Sequence, residues 1–262
     1  MSGPINCNYP LTSKKYEKWK KGIEDAYKNI QRTAQECAKN NSGECEIDKW
    51  NKWDEEIITT VNTFNNYLSS TTPKFQRLDW LLVKAILWTE SGAENKAWDS
   101  RPMQFGNRGD AGKDDLFSTI DQNQKDYKLI VPPNYRTDLD TGAHNIHQGV
   151  AYLFKKLANF DYKIILDPDD PATYFITVKQ GDTLDEIAKA NNTRTEILKE
   201  MNPGVKAESL TIEKTLKYKK GDRKRVITGW KSISTMSIAK YYNGKDPAYC
   251  AKLNYVLQFL RK

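Results

Sequence analysis

Histidine is scarce in this 262-residue chain, which has two histidines and four cysteines. No two cysteines stand in the C-x-x-C spacing that is typical of metal sites. Because protein zinc is held mainly by cysteine and histidine, the sequence predicts no metal site and no cofactor.

Long apolar runs are also missing. No window approaches the roughly 18 apolar residues of a membrane span. The amino-terminal stretch MSGPINCNYPLTSKKYEKWKK lacks the apolar core of a signal peptide. We therefore expect a protein that is made in the cytoplasm without a membrane span. If it works elsewhere, something other than the general secretory route must carry it.

The chain does have enough apolar residues, 38%, to form a core, and its net charge is +7. Such a charge suits an anionic partner such as nucleic acid, lipid headgroups or bacterial cell wall. The charged residues are scattered, which favours a well-solvated surface, and no nucleic-acid partner is expected.

Two amphipathic segments predict a helical hairpin over residues 1–79, and Cys37 and Cys45 flank the turn between them. That placement suits a disulfide and an oxidising destination, with two reduced cytosolic thiols as the alternative. A bridge here would stabilise the fold by roughly 2–3 kcal/mol in the chain-entropy model. Cys7 and Cys250 can pair only if the two ends of the chain meet.

The stretch ILWTESG at residues 86–92 places Glu90 at the end of an apolar helix. A carboxyl where a helix leaves the core is partly desolvated, which raises its pKa and keeps it protonated nearer to neutral pH. A general acid needs that property, so Glu90 is the candidate catalytic residue.

A polar linker, DPDDPAT, precedes a short strand–helix–helix–strand pattern in residues 171–221. The phrases VKQGDTLDEIAKANNT and ILKEMNPG resemble the LysM domain, a module that binds chains containing N-acetylglucosamine. The resemblance places the glycan groove between one turn and the loop after the second helix, with these contact residues: Gly181, Asp182, Thr183, Asn202 and Pro203. The pattern predicts helix caps at Asp182 or Thr183 and at Thr193 or Thr195.

Four further blocks resemble the lytic transglycosylases and goose-type lysozymes, in that family's order. They are TESG, RPMQFGNRGD, AHNIHQGVAYLFKKL and IAKYYNGKDPAYCAKLNYVLQFL. Arg101-Pro102 replaces the usual Gly-Leu, and Tyr241 replaces an alanine. The resemblance implies that Glu90 acts with the substrate-binding residues Ser91, Met103, Gln104, Asn145, Tyr242 and Asn243.

Because the last block follows the LysM-like segment, we expect a mainly α protein whose lysozyme-like domain is split. Its parts would be residues 80–168 and 225–262, with the small βααβ module inserted at 171–221 and the hairpin region at 1–79.

Cleavage of a glycosidic bond normally takes two carboxylates, and Asp99 and Asp110 are the candidates for the second. Without one, the N-acetyl group of the substrate can act as the nucleophile, which gives a 1,6-anhydro product. The expected function is therefore a muramidase of the transglycosylase type that acts on peptidoglycan strands. A hydrolytic lysozyme and a non-catalytic peptidoglycan-binding protein are the alternatives.

The expected place of action is the periplasm or the wall of a target cell. Delivery without a signal peptide suggests an antibacterial effector of a type VI secretion machine, or a phage lysis or tail enzyme. An effector would also have a secretion-machine partner and a cognate immunity protein.

Overall fold

A computed structural model of the chain describes residues 4–39, 48–107, 109, 111–117, 121–133, 135 and 141–262. The helices found there are α1 (Lys14–Lys39), α2 (Asp54–Thr71), α3 (Trp80–Glu90), α4 (Ala111–Phe117), α5 (Asp121–Ile130), α6 (Gly142–Leu157), α7 (Leu184–Ala190), α8 (Thr195–Met201), α9 (Thr235–Tyr241) and α10 (Tyr249–Leu260). The strands are β1 (Ala158–Leu166), β2 (Tyr174–Thr177), β3 (Thr215–Tyr218) and β4 (Gly221–Trp230). Helix prevails and the sheets are small, so the mainly α class is confirmed. Within these ranges no helix combines the length and the apolar character needed to cross a membrane.

The chain divides into two compact units. Unit 1 consists of Met1–Asn159 and Ile227–Lys262, and unit 2 is Phe160–Val226. The sequence instead predicts boundaries near 168–171 and 221–225. Most of the chain between the two sets of boundaries belongs to strands β1 and β4, for which the sequence shows no clear pattern.

Helix α3 runs through the core of unit 1. The side chain of Asp79 caps its first turn by accepting a hydrogen bond from a backbone amide at 3.0 Å. Residues 82–88 are all buried, including Lys84, whose ammonium pairs with the Asp54 carboxylate on α2 at 2.7 Å. The helix packs against α10 and α2. It ends at Glu90, as the apolar run predicted.

The two amino-terminal helices pack on different partners. Helix α1 lies against α10, where Trp19 meets Tyr255 with ring centroids 5.6 Å apart and Tyr27 meets Phe259 at 5.3 Å. Helix α2 packs on α3 and α6. The turn of the predicted hairpin, residues 40–47, lies outside the described residues.

A disulfide joins Cys7 to Cys250, which stand 243 positions apart in sequence, with their Cα atoms 4.6 Å apart. The condition set by the sequence, that the two ends of the chain meet, is therefore fulfilled. Beside the bridge, the Asn6 amide donates to the Pro247 carbonyl at 3.1 Å. Cys37 is also disulfide-bonded. The predicted Cys37–Cys45 pairing involves Cys45, which lies outside the described residues.

Unit 2 contains the expected βααβ order of β2, α7, α8 and β3. Strands β2 and β3 pair antiparallel, with Tyr174 opposite Tyr218. Their inner faces and the two helices enclose a small core of Val178, Leu184, Ile187, Ala188, Leu198, Leu216 and Tyr218. Seven buried side chains in so short a segment explain how the module holds its shape.

The caps of the two short helices differ from each other. Thr183 caps α7 in a reciprocal capping box with Glu186, within the predicted pair of Asp182 or Thr183. The predicted cap of α8 at Thr193 or Thr195 is wrong, because the N-cap residue is Arg194 and makes no side-chain cap. Thr195 instead donates its hydroxyl to the Asp185 carboxylate on α7 at 2.6 Å.

Strands β1 and β4 form a separate two-stranded sheet. A Cβ atom at Gly221 would lie 2.4 Å from the Ile165 carbonyl oxygen, so the close approach of the strands needs glycine there. On one face of the sheet, the guanidinium of Arg223 lies 5.0 Å from the ring centroid of Tyr162.

Candidate functional site

A cavity of about 470 Å³ opens in unit 1. Five segments of the chain line it: the end of α3, the turn after residue 102, the start of α4, helix α6 and the turn after α9. The lining residues are Glu90, Met103, Gln104, Phe105, Asn107, Gly109, Gly112, Tyr152, Tyr242, Asn243, Gly244 and Lys245. Five sequence-predicted site residues therefore share one cavity: Glu90, Met103, Gln104, Tyr242 and Asn243.

Glu90 is the acidic member of this lining. Its Oε1 atom accepts a hydrogen bond from the Tyr249 hydroxyl at 2.6 Å and another from the Asn243 side-chain amide at 3.2 Å. Burial raises the pKa of the Glu90 carboxyl above its ordinary value. The two hydrogen bonds and the charge of Lys252 oppose that shift, while Asp246 adds to it. The raised pKa holds a proton on Glu90 to a higher pH than an exposed glutamate would allow.

Tyr249 is one of the site residues that the sequence did not reveal, together with the lining residues Phe105 and Tyr152. It is the first residue of α10 and is completely buried, 159 positions after the carboxyl that it contacts. Burial and the neighbouring Glu90 raise the pKa of the Tyr249 hydroxyl well above its usual value. The hydroxyl therefore stays protonated and acts as a permanent donor to Glu90. No local sequence signal marks such a residue, because its role depends on the packing of α10 on α3.

Two polar side chains hydrogen-bond to the backbone of the turn at residues 102–105. Ser91 donates its hydroxyl to the Pro102 carbonyl at 2.7 Å. Asn145, which is buried on α6, accepts from the Met103 amide at 3.0 Å and donates to the Phe105 carbonyl at 2.7 Å. Neither Ser91 nor Asn145 lines the cavity. The structure thus places both where they position the turn, and their predicted substrate contacts stay a prediction.

Gln104 sits at the tip of this turn with a backbone φ of 53°, a left-handed conformation that is uncommon for glutamine. Its side-chain nitrogen donates to the Arg101 carbonyl at 3.0 Å, and its Oε1 accepts from Asn107 at 3.1 Å. Strained residues of this kind cluster at functional sites, where the surrounding structure holds them in place.

Aromatic rings form one wall of the cavity. Tyr242 is the cap residue of α9, and its ring lies 5.7 Å from that of Tyr152 on α6. Tyr152 also packs against Phe105 at 5.2 Å. Flat aromatic faces beside a polar floor are suited to a ligand with apolar faces and polar edges, such as a sugar ring.

Of the two candidates for a second carboxylate, Asp99 lies apart from these walls. The Asp99 side chain is 74% exposed, pairs with Lys52 at 2.5 Å and is not among the lining residues. Asp110 lies outside the described residues. Of the lining residues that the structure describes, Glu90 alone carries a carboxyl group. Across the same described ranges, no three His, Cys, Asp or Glu side chains cluster in a way that could hold a metal ion.

In unit 2, the turn before α7 is built around Gly181, whose φ of 85° suits glycine. Asp182 accepts from the Lys179 amide at 2.7 Å, and Thr183 caps the helix. Asn202 donates to the carbonyls of Leu198 and Lys217, and accepts from the Lys217 amide at 2.8 Å. The polar atoms of these side chains are thus engaged within the fold, which leaves backbone groups of the turns as candidates for glycan contact. Pro203 follows Asn202 in the second turn.

Comparison with known families decides the identity of this part of the chain. Residues 176–219 match the LysM domain family. This match supports a peptidoglycan-binding module. The resemblance seen in the phrases VKQGDTLDEIAKANNT and ILKEMNPG is confirmed for the LysM domain. No curated protein and no solved structure matches the chain.

Proposed function

We propose that the chain is a peptidoglycan-cleaving muramidase, a lytic transglycosylase that breaks the MurNAc–GlcNAc β-1,4 bond. The observation that carries the proposal is Glu90, a carboxyl of raised pKa that faces a cavity as the single acidic residue of its described lining. The LysM domain on the same chain supports peptidoglycan as the substrate. A binding protein has no need of a desolvated carboxyl, which costs stability at neutral pH.

The chemistry needs one group that first gives and then takes a proton. Protonated Glu90 donates to the glycosidic oxygen, the C1–O bond breaks, and the N-acetyl carbonyl oxygen of the muramic acid bonds to C1. The 6-hydroxyl oxygen then attacks C1 and displaces the acetamido oxygen, while its proton returns to the Glu90 carboxylate. No water is consumed, and the product carries a 1,6-anhydro ring.

The neighbouring groups fit these two roles. The hydrogen bonds from Tyr249 and Asn243 stabilise the carboxylate that exists between the two proton transfers. Burial favours the protonated form that exists before and after them. Gln104 and Tyr242, which both line the cavity, are placed to hold the acetamido group and a sugar face.

The test is to substitute Glu90→Gln and measure muropeptides released from purified cell wall by mass spectrometry. General acid catalysis contributes about a hundredfold or more, so we expect release to fall by at least that factor. Glu94→Gln is the matched control, because Glu94 is an exposed carboxylate four residues further on, paired with Lys49. Release by Glu90→Gln within tenfold of the wild-type rate would refute the assignment.

The mass of the products separates the alternatives. Anhydro ends indicate the transglycosylase, and reducing ends indicate a hydrolytic lysozyme that uses a second carboxylate such as Asp110. A protein that binds sacculi but releases nothing is the non-catalytic alternative, which the LysM domain by itself would support.

The proposal also covers where the enzyme acts and how it is delivered. A wall-degrading enzyme that acts in the periplasm or wall of a target cell fits an antibacterial effector of a type VI secretion machine, or a phage enzyme. An effector would be neutralised in the producing cell by an immunity protein, which co-purification from that cell would reveal.

A further inference from the structure

Three lysine side chains lie against two tyrosine rings: Tyr152, which lines the cavity, and Tyr241, which precedes the lining residue Tyr242. The Lys231 and Lys240 ammonium groups lie 4.9 and 5.1 Å from the ring centroid of Tyr241. The Lys156 ammonium lies 4.9 Å from the ring centroid of Tyr152. We name Lys156, Lys231, Lys240 and Tyr241 the lysine patch.

The patch carries excess positive charge. Lys156 shares the Asp115 carboxylate with its neighbour Lys155, at 2.6 and 2.8 Å, so one negative charge faces two positive ones. In the part of the chain that the structure describes, neither Lys231 nor Lys240 forms an ion pair with a carboxylate. Together with Lys155, the three lysines of the patch carry four positive charges, and the Asp115 carboxylate balances one of them.

Lys231 shows that the cations affect one another. Burial lowers the pKa of its ammonium, Tyr241 opposes that shift, and the positive charge of Lys156 adds to it. Part of its hydrogen-bonding capacity is used on the Ala158 carbonyl at 2.9 Å, which orients the side chain. A bound anion would relieve the repulsion between Lys156 and Lys231.

The patch adjoins the cavity through two tyrosines. Tyr241 precedes Tyr242 in the chain, and Tyr152 packs on Tyr242; both Tyr152 and Tyr242 line the cavity. Tyr241 is also the position where the chain departs from the alanine of the transglycosylase pattern. An alanine would offer no ring for Lys231 and Lys240 to lie against.

We infer that the lysine patch binds the carboxylates of the peptide stems on the glycan strand, and so makes peptide-bearing strands the preferred substrate. The inference rests on the proposed function. The backbone sugars of peptidoglycan are neutral, and the stems attached to muramic acid supply its carboxylates. A cationic patch beside a sugar-binding cavity therefore recognises the stem and not the sugar.

The experiment measures binding and not cleavage, so its outcome is independent of whether the chain is an enzyme. All variants are made in Glu90→Gln protein, and calorimetry gives their affinity for soluble glycan strands freed of phosphate polymers by hydrofluoric acid. Half of the strands keep their peptides. The other half are stripped by an amidase, and the lactyl carboxylates that the amidase frees are then converted to neutral methylamides with a carbodiimide. The test variant is Lys231→Gln with Lys240→Gln, and the control is Lys14→Gln with Lys18→Gln, two exposed lysines on α1.

Each exposed charge pair is worth a small factor, so the test variant should lose about three- to tenfold in affinity for peptide-bearing strands. Its affinity for stripped strands should equal that of the control, and the difference should shrink as salt is added. The LysM domain is unchanged in every variant and contributes equally. An equal loss on both kinds of strand, no loss at all, or the same loss in the control would overturn the inference. Absence of cleavage by the wild-type chain would refute the proposed function alone.

Discussion

At the scale of single residues, Glu90 is held between opposing influences. Burial favours its neutral form, whereas the Tyr249 hydroxyl and the Asn243 amide favour its charged form. A group that must alternate between the two forms gains from such a balance, because neither form is strongly trapped.

Replacing Tyr249 with phenylalanine removes one of the two donors and leaves the ring. The hydrogen bond favours the carboxylate, so its loss raises the pKa of Glu90. Activity that needs protonated Glu90 falls as pH rises through that pKa, and the alkaline limb of the pH–rate profile should therefore move to higher pH. The alkaline limb is measured from the rate at which a suspension of cell wall loses turbidity between pH 4 and pH 9.

Tyr255→Phe is the matched control for Tyr249→Phe. Tyr255 lies on the same helix, but its hydroxyl donates to Glu24 on α1 at 2.5 Å. Tyr255→Phe should therefore leave the pH–rate profile unchanged. An alkaline limb that moves equally in both variants, or in neither, would contradict the role given to Tyr249.

Gly149 makes room for Met103 in the cavity wall. A Cβ atom at Gly149 would lie 2.4 Å from the Met103 sulfur, closer than atoms can approach. Gly149→Ala should therefore lower the free energy of unfolding by roughly 1–3 kcal/mol, as overpacked cores do, and reduce activity by displacing Met103.

Thermal unfolding and wall cleavage measure the two effects of Gly149→Ala. Gly22→Ala on α1 is the control, because a Cβ atom there meets nothing within 4 Å. It should stabilise the chain by about 0.5–1 kcal/mol, since alanine favours helix over glycine. If Gly149→Ala were as stable as the wild type, the Met103 side chain would have to move aside without loss of stability, which would contradict this prediction.

Residues whose role is local were predictable, and residues whose role depends on long-range packing were not. Glu90 could be found because the apolar run before it is contiguous in sequence. Tyr249 could not, because its partner is 159 positions away. Asp99 looked equivalent to any loop carboxylate, and only the fold shows that Lys52 holds it outside the cavity lining.

At the scale of elements, periodic patterns predicted helices well and the paired strands β1 and β4 poorly. The strong periodicity of α1 follows from one apolar face packing on α10. In strand β1 half-buried residues alternate with exposed ones, so the difference between its two faces is small. Strand β4 carries several charged residues in a row, which is not typical of a strand with one buried face. Their pairing joins segments far apart in sequence, which no local pattern encodes.

Asn202 ties the end of α8 to β3 and offers a test at this scale. In Asn202→Asp a carboxylate oxygen would face the Leu198 and Lys217 carbonyls in place of a donor. We expect a loss of roughly 1–3 kcal/mol in local stability, since two hydrogen bonds become repulsive contacts. Hydrogen exchange of peptides covering α8 and β3 in the full chain measures the loss.

The control is Asn192→Asp, which makes the same chemical change at an exposed position in the preceding loop. Protection of α8 and β3 should be unchanged in that variant. Equal protection in Asn202→Asp and wild type would mean that the three hydrogen bonds contribute nothing to the stability of the module.

At the scale of the whole molecule, the disulfide between Cys7 and Cys250 links the amino-terminal segment to α10. Cys250 directly follows Tyr249, so the bridge also anchors the residue that donates to Glu90. Reduction should lower the free energy of unfolding by roughly 2–5 kcal/mol, as the loss of a native disulfide does. The melting temperature with and without reductant measures this change.

The experiment is best done in a Cys37→Ser, Cys45→Ser protein, so that the effect of reductant comes from one bridge alone. Activity should fall together with the melting temperature, because the start of α10 is loosened. A reduced protein with an unchanged melting temperature would contradict the stabilising role of the Cys7–Cys250 bridge.

The same bond closes residues 7–250 into a covalent ring. A protease that cuts one exposed loop, such as the linker at residues 167–173, would open the ring without dividing the molecule. The pieces would run together on a non-reducing gel and separate only after reduction.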